Sequence, residues 1–150
     1  MKVLVLGSKG QLGLCFTDQL AKTSHTCVYA SRLDIDVSDF DFTRERMLAI
    51  NPKIVINLTA FTAVDLAEIE IDNAKLINQY AVENIAKICK DLGACLIHIS
   101  TDYVFDGSAS YPYREADITN PQSIYGKSKL GGEEAIQASG CNYMILRTAW

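Results

Sequence analysis

The sequence predicts a doubly wound α/β domain, a parallel sheet with helices on both faces. Two observations carry this expectation. Short apolar runs alternate with helix-patterned segments along the whole chain, the signature of repeated strand–helix–strand units. The segments richest in reactive residues also follow the apolar runs: Gly7–Gly13, Ser31–Val37, Thr59–Thr62 and Thr101–Phe105. In such a sheet these lie at the C-terminal strand ends, where ligands bind at the reversal of strand order.

Lys2–Leu6 is a nearly continuous apolar run, as expected of a strand buried on both faces. Gln11–Lys22 reads as a helix, Cys27–Ala30 as the second strand, and Phe42–Ile50 as a helix stopped by Asn51-Pro52. Ile54–Leu58 is the third strand. Asp72–Leu92 is one long helix with Ile77, Ala81, Ile85, Ile88 and Leu92 on a single stripe, and Gly93 stands at its C-terminal cap. Cys95–Ser100 is the fourth strand. Asp102–Gln122 is polar and turn-rich, Ser123–Ala138 is a helix, and Tyr143–Thr148 is a fifth strand.

Gly7-Ser8-Lys9-Gly10-Gln11-Leu12-Gly13 has the spacing GxxGxxG between a strand and a helix. Glycine permits the sharp turn, lets backbone approach phosphate and lets the helix pack on the strand. The helix N-terminus adds free N–H groups and partial positive charge. This context predicts a Rossmann-type fold whose turn wraps the pyrophosphate of a nicotinamide cofactor, and the spacing points to the short-chain reductase type. Gly126-Lys127-Ser128 resembles the end of a phosphate-binding Walker loop, but Pro121 stands where that loop needs glycine, so a P-loop is rejected. After the second strand, Ser31 and Arg32 stand where an NAD-preferring site carries an acid. A hydroxyl and a guanidinium suit a 2′-phosphate, so NADPH is expected over NADH, with NADH the alternative. Asp36 and Val37 lie close enough to reach the adenine.

Tyr125-Gly126-Lys127-Ser128-Lys129 is a YxxxK motif, and residues four apart share a helix face. A free tyrosine titrates near about 10. A neighbouring ammonium is expected to lower that, so that Tyr125 exchanges a proton with a carbonyl oxygen. The spacing alone is weakly specific. Thr101, directly after the fourth strand, supplies a hydroxyl for the same carbonyl and completes the set Thr101, Tyr125 and Lys129.

Composition bounds the rest. The 150 residues suit one domain, 49% of them are hydrophobic, and the net charge of −4 comes without a basic cluster. A nucleic-acid partner is therefore excluded. The five cysteines are odd in number and form no CxxC pair, which fits a reducing cytoplasm. Two histidines, His25 and His98, are too few and too far apart for zinc. No leader and no membrane-spanning run is expected. Asn57-Leu58-Thr59 matches a glycosylation sequon but ends an apolar strand, so the match is read as chance.

Several runs occur in order: Leu33-Asp34-Ile35-Asp36, Asn57-Leu58-Thr59-Ala60-Phe61-Thr62-Ala63-Val64-Asp65, Ser100-Thr101-Asp102-Tyr103-Val104-Phe105-Asp106-Gly107, Pro112-Tyr113, the YxxxK motif and Arg147-Thr148-Ala149-Trp150. Together they resemble the dTDP-4-dehydrorhamnose reductase family of extended short-chain dehydrogenases/reductases. The resemblance implies NAD(P)H-dependent reduction of the 4-keto group of dTDP-4-dehydro-L-rhamnose to dTDP-L-rhamnose. It implies Gly10, Gln11 and Leu12 at the pyrophosphate, Asp36 and Val37 by the adenine, and Ala60, Phe61, Thr62 and Ile99 along the cofactor. Thr101, Asp102 and Trp150 would meet the sugar nucleotide, Tyr125 would donate the proton, and Lys129 would bind the nicotinamide ribose. It further implies a dTDP-sugar substrate, a homodimer for the full-length protein, and a substrate domain of similar size beyond residue 150. Mg²⁺ is bound by some family members at a dimer contact, with ligands expected outside this chain. Three departures stand out: the missing acid after the second strand, Phe61 in place of tyrosine or histidine, and Gly131 inside the active-site helix, where glycine costs up to ~1 kcal/mol relative to alanine. Two other functions remain open. One is a non-catalytic module like the regulatory subunit of methionine adenosyltransferase, and the other is a different sugar-nucleotide reductase or epimerase.

Overall fold

In the computed structural model, which describes residues 1–149, five strands form one sheet. They are β1 (Lys2–Leu6), β2 (Thr26–Ala30), β3 (Ile54–Asn57), β4 (Cys95–Thr101) and β5 (Asn142–Thr148). All pairings are parallel, in the order β2-β1-β3-β4-β5. The crossover from β2 to β3 returns past β1, so the winding reverses between β1 and β3. Leu6 at the end of β1 is level with Ala30 on one side and Asn57 on the other. The crevice expected from the sequence therefore opens above Leu6.

Alternating side chains of β1 divide the core. Val3 and Val5 join Ile56 beneath Phe16 and Leu20 of α1 (Gln11–Leu20). Leu4 and Leu6 join Val55 and Leu96 on the opposite face. That face is covered by Met47 of α2 (Phe40–Ile50), Ile85 and Ile88 of α5 (Ala81–Leu92) and Ile136 of α6 (Ile124–Ser139). Both faces of the sheet thus carry helices, and the continuous apolar run of β1 is explained by burial on both.

Helix ends follow local chemistry. The Asp39 carboxylate accepts from Phe42 N–H at 3.0 Å and caps α2, which stops where Asn51 turns left-handed at φ 50° before Pro52. Ser123 caps α6 by accepting from Gly126 N–H at 3.0 Å. The five cysteines are free thiols, and burial pushes Cys89 up to about 12, so it behaves as a small hydrophobe. Asn57 is fully buried, which closes the sequon to modification. Among the described residues no helix is long and apolar enough to cross a membrane.

The long helix expected over Asp72–Leu92 differs. A short α3 (Val64–Ala67) precedes it, and the helix itself is α4 (Ile71–Lys75), a π turn (Leu76–Tyr80) and α5. The reason lies in α6, which approaches this turn through Gly131 and Gly132. A Cβ at Gly132 would collide with the Asn78 carbonyl oxygen, and one at Gly131 would lie 2.7 Å from Gln79 Cδ. The glycine that looks costly in the sequence is what lets two helices touch here.

Candidate active site

The glycine turn forms as its residue types require. Gly7 has φ +79°, and a Cβ there would sit 3.0 Å from the Leu58 carbonyl carbon at the end of β3. Gly7 and Ser8 N–H groups both donate to the Ala30 carbonyl, at 2.9 and 3.1 Å, which ties the turn to β2. A Cβ on Gly13 would lie 2.7 Å from Ser8 Cα, so glycine is needed for α1 to start this close to the turn. Gly10 precedes α1 with no side-chain cap, and the first turn carries no acid. The N–H groups of Gln11, Leu12 and Gly13 therefore have no partner inside the helix. A cradle closed to side chains and lined with free donors fits a pyrophosphate.

Beyond β2, Asp34 organises the loop by accepting from Ser31 N–H at 2.9 Å and from its hydroxyl at 2.6 Å. Arg32 is 82% exposed along its side chain and pairs with Asp36 at 3.1 Å. Asp36 also accepts from the Ser38 hydroxyl at 2.6 Å, which holds its carboxyl below the usual range. The Val37 side chain is buried in the core with Ile35. Val37 is 4% exposed, so its side chain is not free to contact adenine.

Thr101, Tyr125 and Lys129 are brought together by two elements. β4 runs into a 3₁₀ turn at Asp102–Val104, where Thr101 Oγ1 accepts from Tyr103 N–H at 3.2 Å. The first turn of α6 rests on this turn, and a Cβ at Gly126 would collide with the Tyr103 carbonyl. Glu68 accepts from Ile124 N–H at 2.7 Å and holds the same end of α6. Tyr125 thereby stands edge-on to the Tyr103 ring, centroids 5.7 Å apart. Its phenol is pushed up by burial, while a hydrogen bond with Thr101 pulls the other way and the Asp102 charge adds to the rise.

Here the geometry corrects an expectation. The net shift of Tyr125 is upward, from burial, rather than downward. Lys129 Nζ donates to the Ile99 carbonyl at 2.6 Å and lies 3.3 Å from His98 Nε2. Burial brings the ammonium down to about 8, against an opposing pull from Glu133. The shared helix face is real, but the long side chain finds its nearest acceptor in β4.

The loop Ala60–Thr62 is set by a residue the sequence reading missed. Buried Asn78, in the π turn, accepts from Phe61 N–H at 2.8 Å and donates to the Phe61 carbonyl at 3.0 Å and to Ser128 Oγ at 3.0 Å. Phe61 is thus held by its backbone, which any residue offers. Glu133, Ser100 and Arg147 were also missed as a unit. Buried Glu133 accepts from Ser100 Oγ and from Arg147 Nε at 3.0 Å and Nη2 at 2.7 Å. Asp106 pins the following loop, accepting from Ser108 N–H, Tyr113 OH and Asn120 Nδ2, and its carboxyl lies well below the usual range. The readable signal was polar residues within otherwise apolar runs, which burial obliges to pair. Trp150 lies outside the described residues. Among them, no group of three or more histidine, cysteine or acidic residues is arranged to hold a metal.

A parallel sheet in this strand order with helices on both faces is a Rossmann-type fold. The family model described as the RmlD substrate binding domain matches residues 1–150. The chain belongs to that family, the dTDP-4-dehydrorhamnose reductase family. It is 42% identical over 149 residues to a spore coat polysaccharide biosynthesis protein of Bacillus subtilis, covering 99% of this chain and 53% of that one. It is 40% identical over 157 residues to the dTDP-4-dehydrorhamnose reductase of Escherichia coli, covering 100% and 51%. Among solved structures, a dTDP-4-dehydrorhamnose reductase of Clostridium acetobutylicum superposes with a TM-score of 0.97 at 41% identity, over 100% of this chain and 54% of that one. The Bacillus anthracis enzyme in complex with NADP gives 0.96 at 34% identity, over 99% and 53%. The chain spans about half the length of the curated relatives it matches.

Proposed function

We propose that this chain is the cofactor-binding and catalytic-motif half of an NADPH-dependent dTDP-4-dehydrorhamnose reductase. The observation that supports it best is the convergence of an uncapped glycine turn with Thr101, Tyr125 and Lys129 at one edge of the sheet. A bound NADPH supplies hydride to the carbonyl carbon of the keto sugar. Gly7 and Gly13 shape the turn, and Gly10, Gln11 and Leu12 hold the pyrophosphate. Asp36 and the Val37 backbone flank the adenine, and Ala60, Phe61, Thr62 and Ile99 line the cofactor. The Thr101 hydroxyl donates to the substrate carbonyl oxygen, Tyr125 gives it a proton, and Lys129 orients the ribose. Asp102 and Trp150 meet the sugar nucleotide, with most of its pocket in the remaining length of the protein. The full-length protein would act as a cytoplasmic homodimer, and any Mg²⁺ would bind outside this chain.

Full-length protein mixed with dTDP-4-dehydrorhamnose should consume NADPH, followed by its absorbance. Cofactor binding without oxidation would replace the enzyme by a binding module. The preference for NADPH rests on Ser31 and exposed Arg32, whose fork suits phosphate. Arg32→Ala is expected to weaken NADPH about tenfold, the size of one charged hydrogen bond, and to leave NADH unchanged in a fluorescence titration. An equal loss for both cofactors would remove Arg32 from the discrimination.

A further inference from the structure

A chain of hydrogen bonds runs from Thr59, which lies against the glycine turn, to Lys129. Thr59 N–H, beside Gly7, donates to Asn57 Oδ1 at 3.1 Å, and the Thr59 hydroxyl donates to the same oxygen at 2.6 Å. A backbone N–H only donates, so this fixes the Asn57 amide: its oxygen faces Thr59 and its Nδ2 faces His98 Nδ1 at 3.2 Å. His98 Nδ1 is therefore the acceptor. The His98 ring is fully buried, and burial holds it neutral. A neutral ring that accepts at Nδ1 carries its hydrogen on Nε2. That hydrogen points at Lys129 Nζ, 3.3 Å away.

An ammonium at Nζ would set donor against donor. A neutral amine offers its lone pair to Nε2–H and still donates to the Ile99 carbonyl at 2.6 Å. We infer that His98, oriented by Asn57, is a positioning residue that holds the Lys129 amine retracted against β4 and favours its uncharged form. The inference deepens the proposed role of Lys129 at the cofactor ribose and rests on it for its functional meaning. The charged and titratable groups facing Lys129 are few. β4 offers His98, 3.3 Å from Nζ, and α6 itself carries Tyr125 one turn before on the same face. Glu133, one turn along α6, pulls Lys129 toward the charged form but is itself engaged by Ser100 and Arg147.

The experiment uses full-length protein without cofactor, and none of its readouts needs turnover, so a failed reductase assay and a failed relay are distinguishable. ¹⁵N-histidine spectra, assigned with His98→Phe, should show His98 Nδ1 bare and Nε2 protonated. Hydrogen on Nδ1 would overturn the inference. The Lys129 midpoint is then followed by its ¹³Cε resonance in Asn57→Asp. The carboxylate accepts from Thr59 and from ring Nδ1–H, which turns the Nε2 lone pair toward Lys129. The midpoint should rise by about one pH unit or more. Adding His98→Phe to Asn57→Asp should remove at least about half of that rise, since the ring carries it. An unchanged midpoint in Asn57→Asp, or the same rise with and without the ring, would overturn the relay. If Asn57→Asp does not fold, the wild-type tautomer alone decides.

Discussion

Tyr125→Phe is expected to lower turnover of the full-length protein about a thousandfold or more and to leave NADPH affinity within about twofold. The substitution removes one oxygen and keeps the ring edge against Tyr103. The cofactor cradle, built from the Gly7–Gly13 turn, does not touch it. Burial raises the phenol rather than lowering it, so across neutral pH Tyr125 carries its proton. That is the form a proton donor to a carbonyl oxygen needs. Turnover in the reductive direction should accordingly show no fall through neutral pH that belongs to Tyr125. Stopped-flow oxidation of NADPH with wild-type and variant checks both points, and residual turnover above about a tenth of wild type would remove Tyr125 from this role.

Glu133→Ala is expected to destabilise the fold by about 3 kcal/mol. Glu133 is 1% exposed and joins three elements: its own helix α6, Ser100 of β4 and Arg147 of β5. The Arg147 guanidinium also lies 5.0 Å above the Phe105 ring, which stacks on Tyr113 at 4.3 Å. Truncating Glu133 leaves a half-buried cation without its carboxylate and a buried Ser100 hydroxyl without its acceptor. Urea denaturation should show a lower midpoint with little change in slope. Removing Arg147 as well, as Glu133→Leu with Arg147→Met, should return a large part of the loss. A loss below about 1 kcal/mol for Glu133→Ala would mean that water replaces the carboxylate.

Much of this molecule was legible from residue types alone, for a physical reason. Strands buried on both faces must be continuous runs, so Lys2–Leu6 could be bounded to the residue. Sharp stops come from residues with few conformations, so Asn51-Pro52 and Gly93 marked the helix ends. Two glycines of the turn, Gly7 and Gly13, have separate steric duties that their spacing already suggests. What stayed hidden depends on contacts between distant segments. Leu76–Tyr80 contains ordinary helix formers, and nothing local announces that Gly132 will press on the Asn78 carbonyl. Asn57 read as a stray sequon and His98 as half of an absent zinc site, because the partner of Asn57, His98, is 41 residues away and the partner of His98, Lys129, is another 31. Lys129 showed the same blindness in reverse: periodicity placed it under Tyr125, and tertiary structure drew its amine toward β4.

The widened turn at Leu76–Tyr80 also governs which sequence lengths this fold tolerates. A π turn is a helix with one residue too many for its pitch. Deleting a single residue there would restore regular α geometry, because the wide turn absorbs that residue and keeps its two flanks in phase. Ile85 and Ile88 would stay on the sheet, but the wide turn that aims Asn78 at the Phe61 backbone would be lost. The segment therefore carries its extra residue for the sake of Asn78. It accepts substitutions at its exposed positions, but its residue count is as constrained as any core side chain.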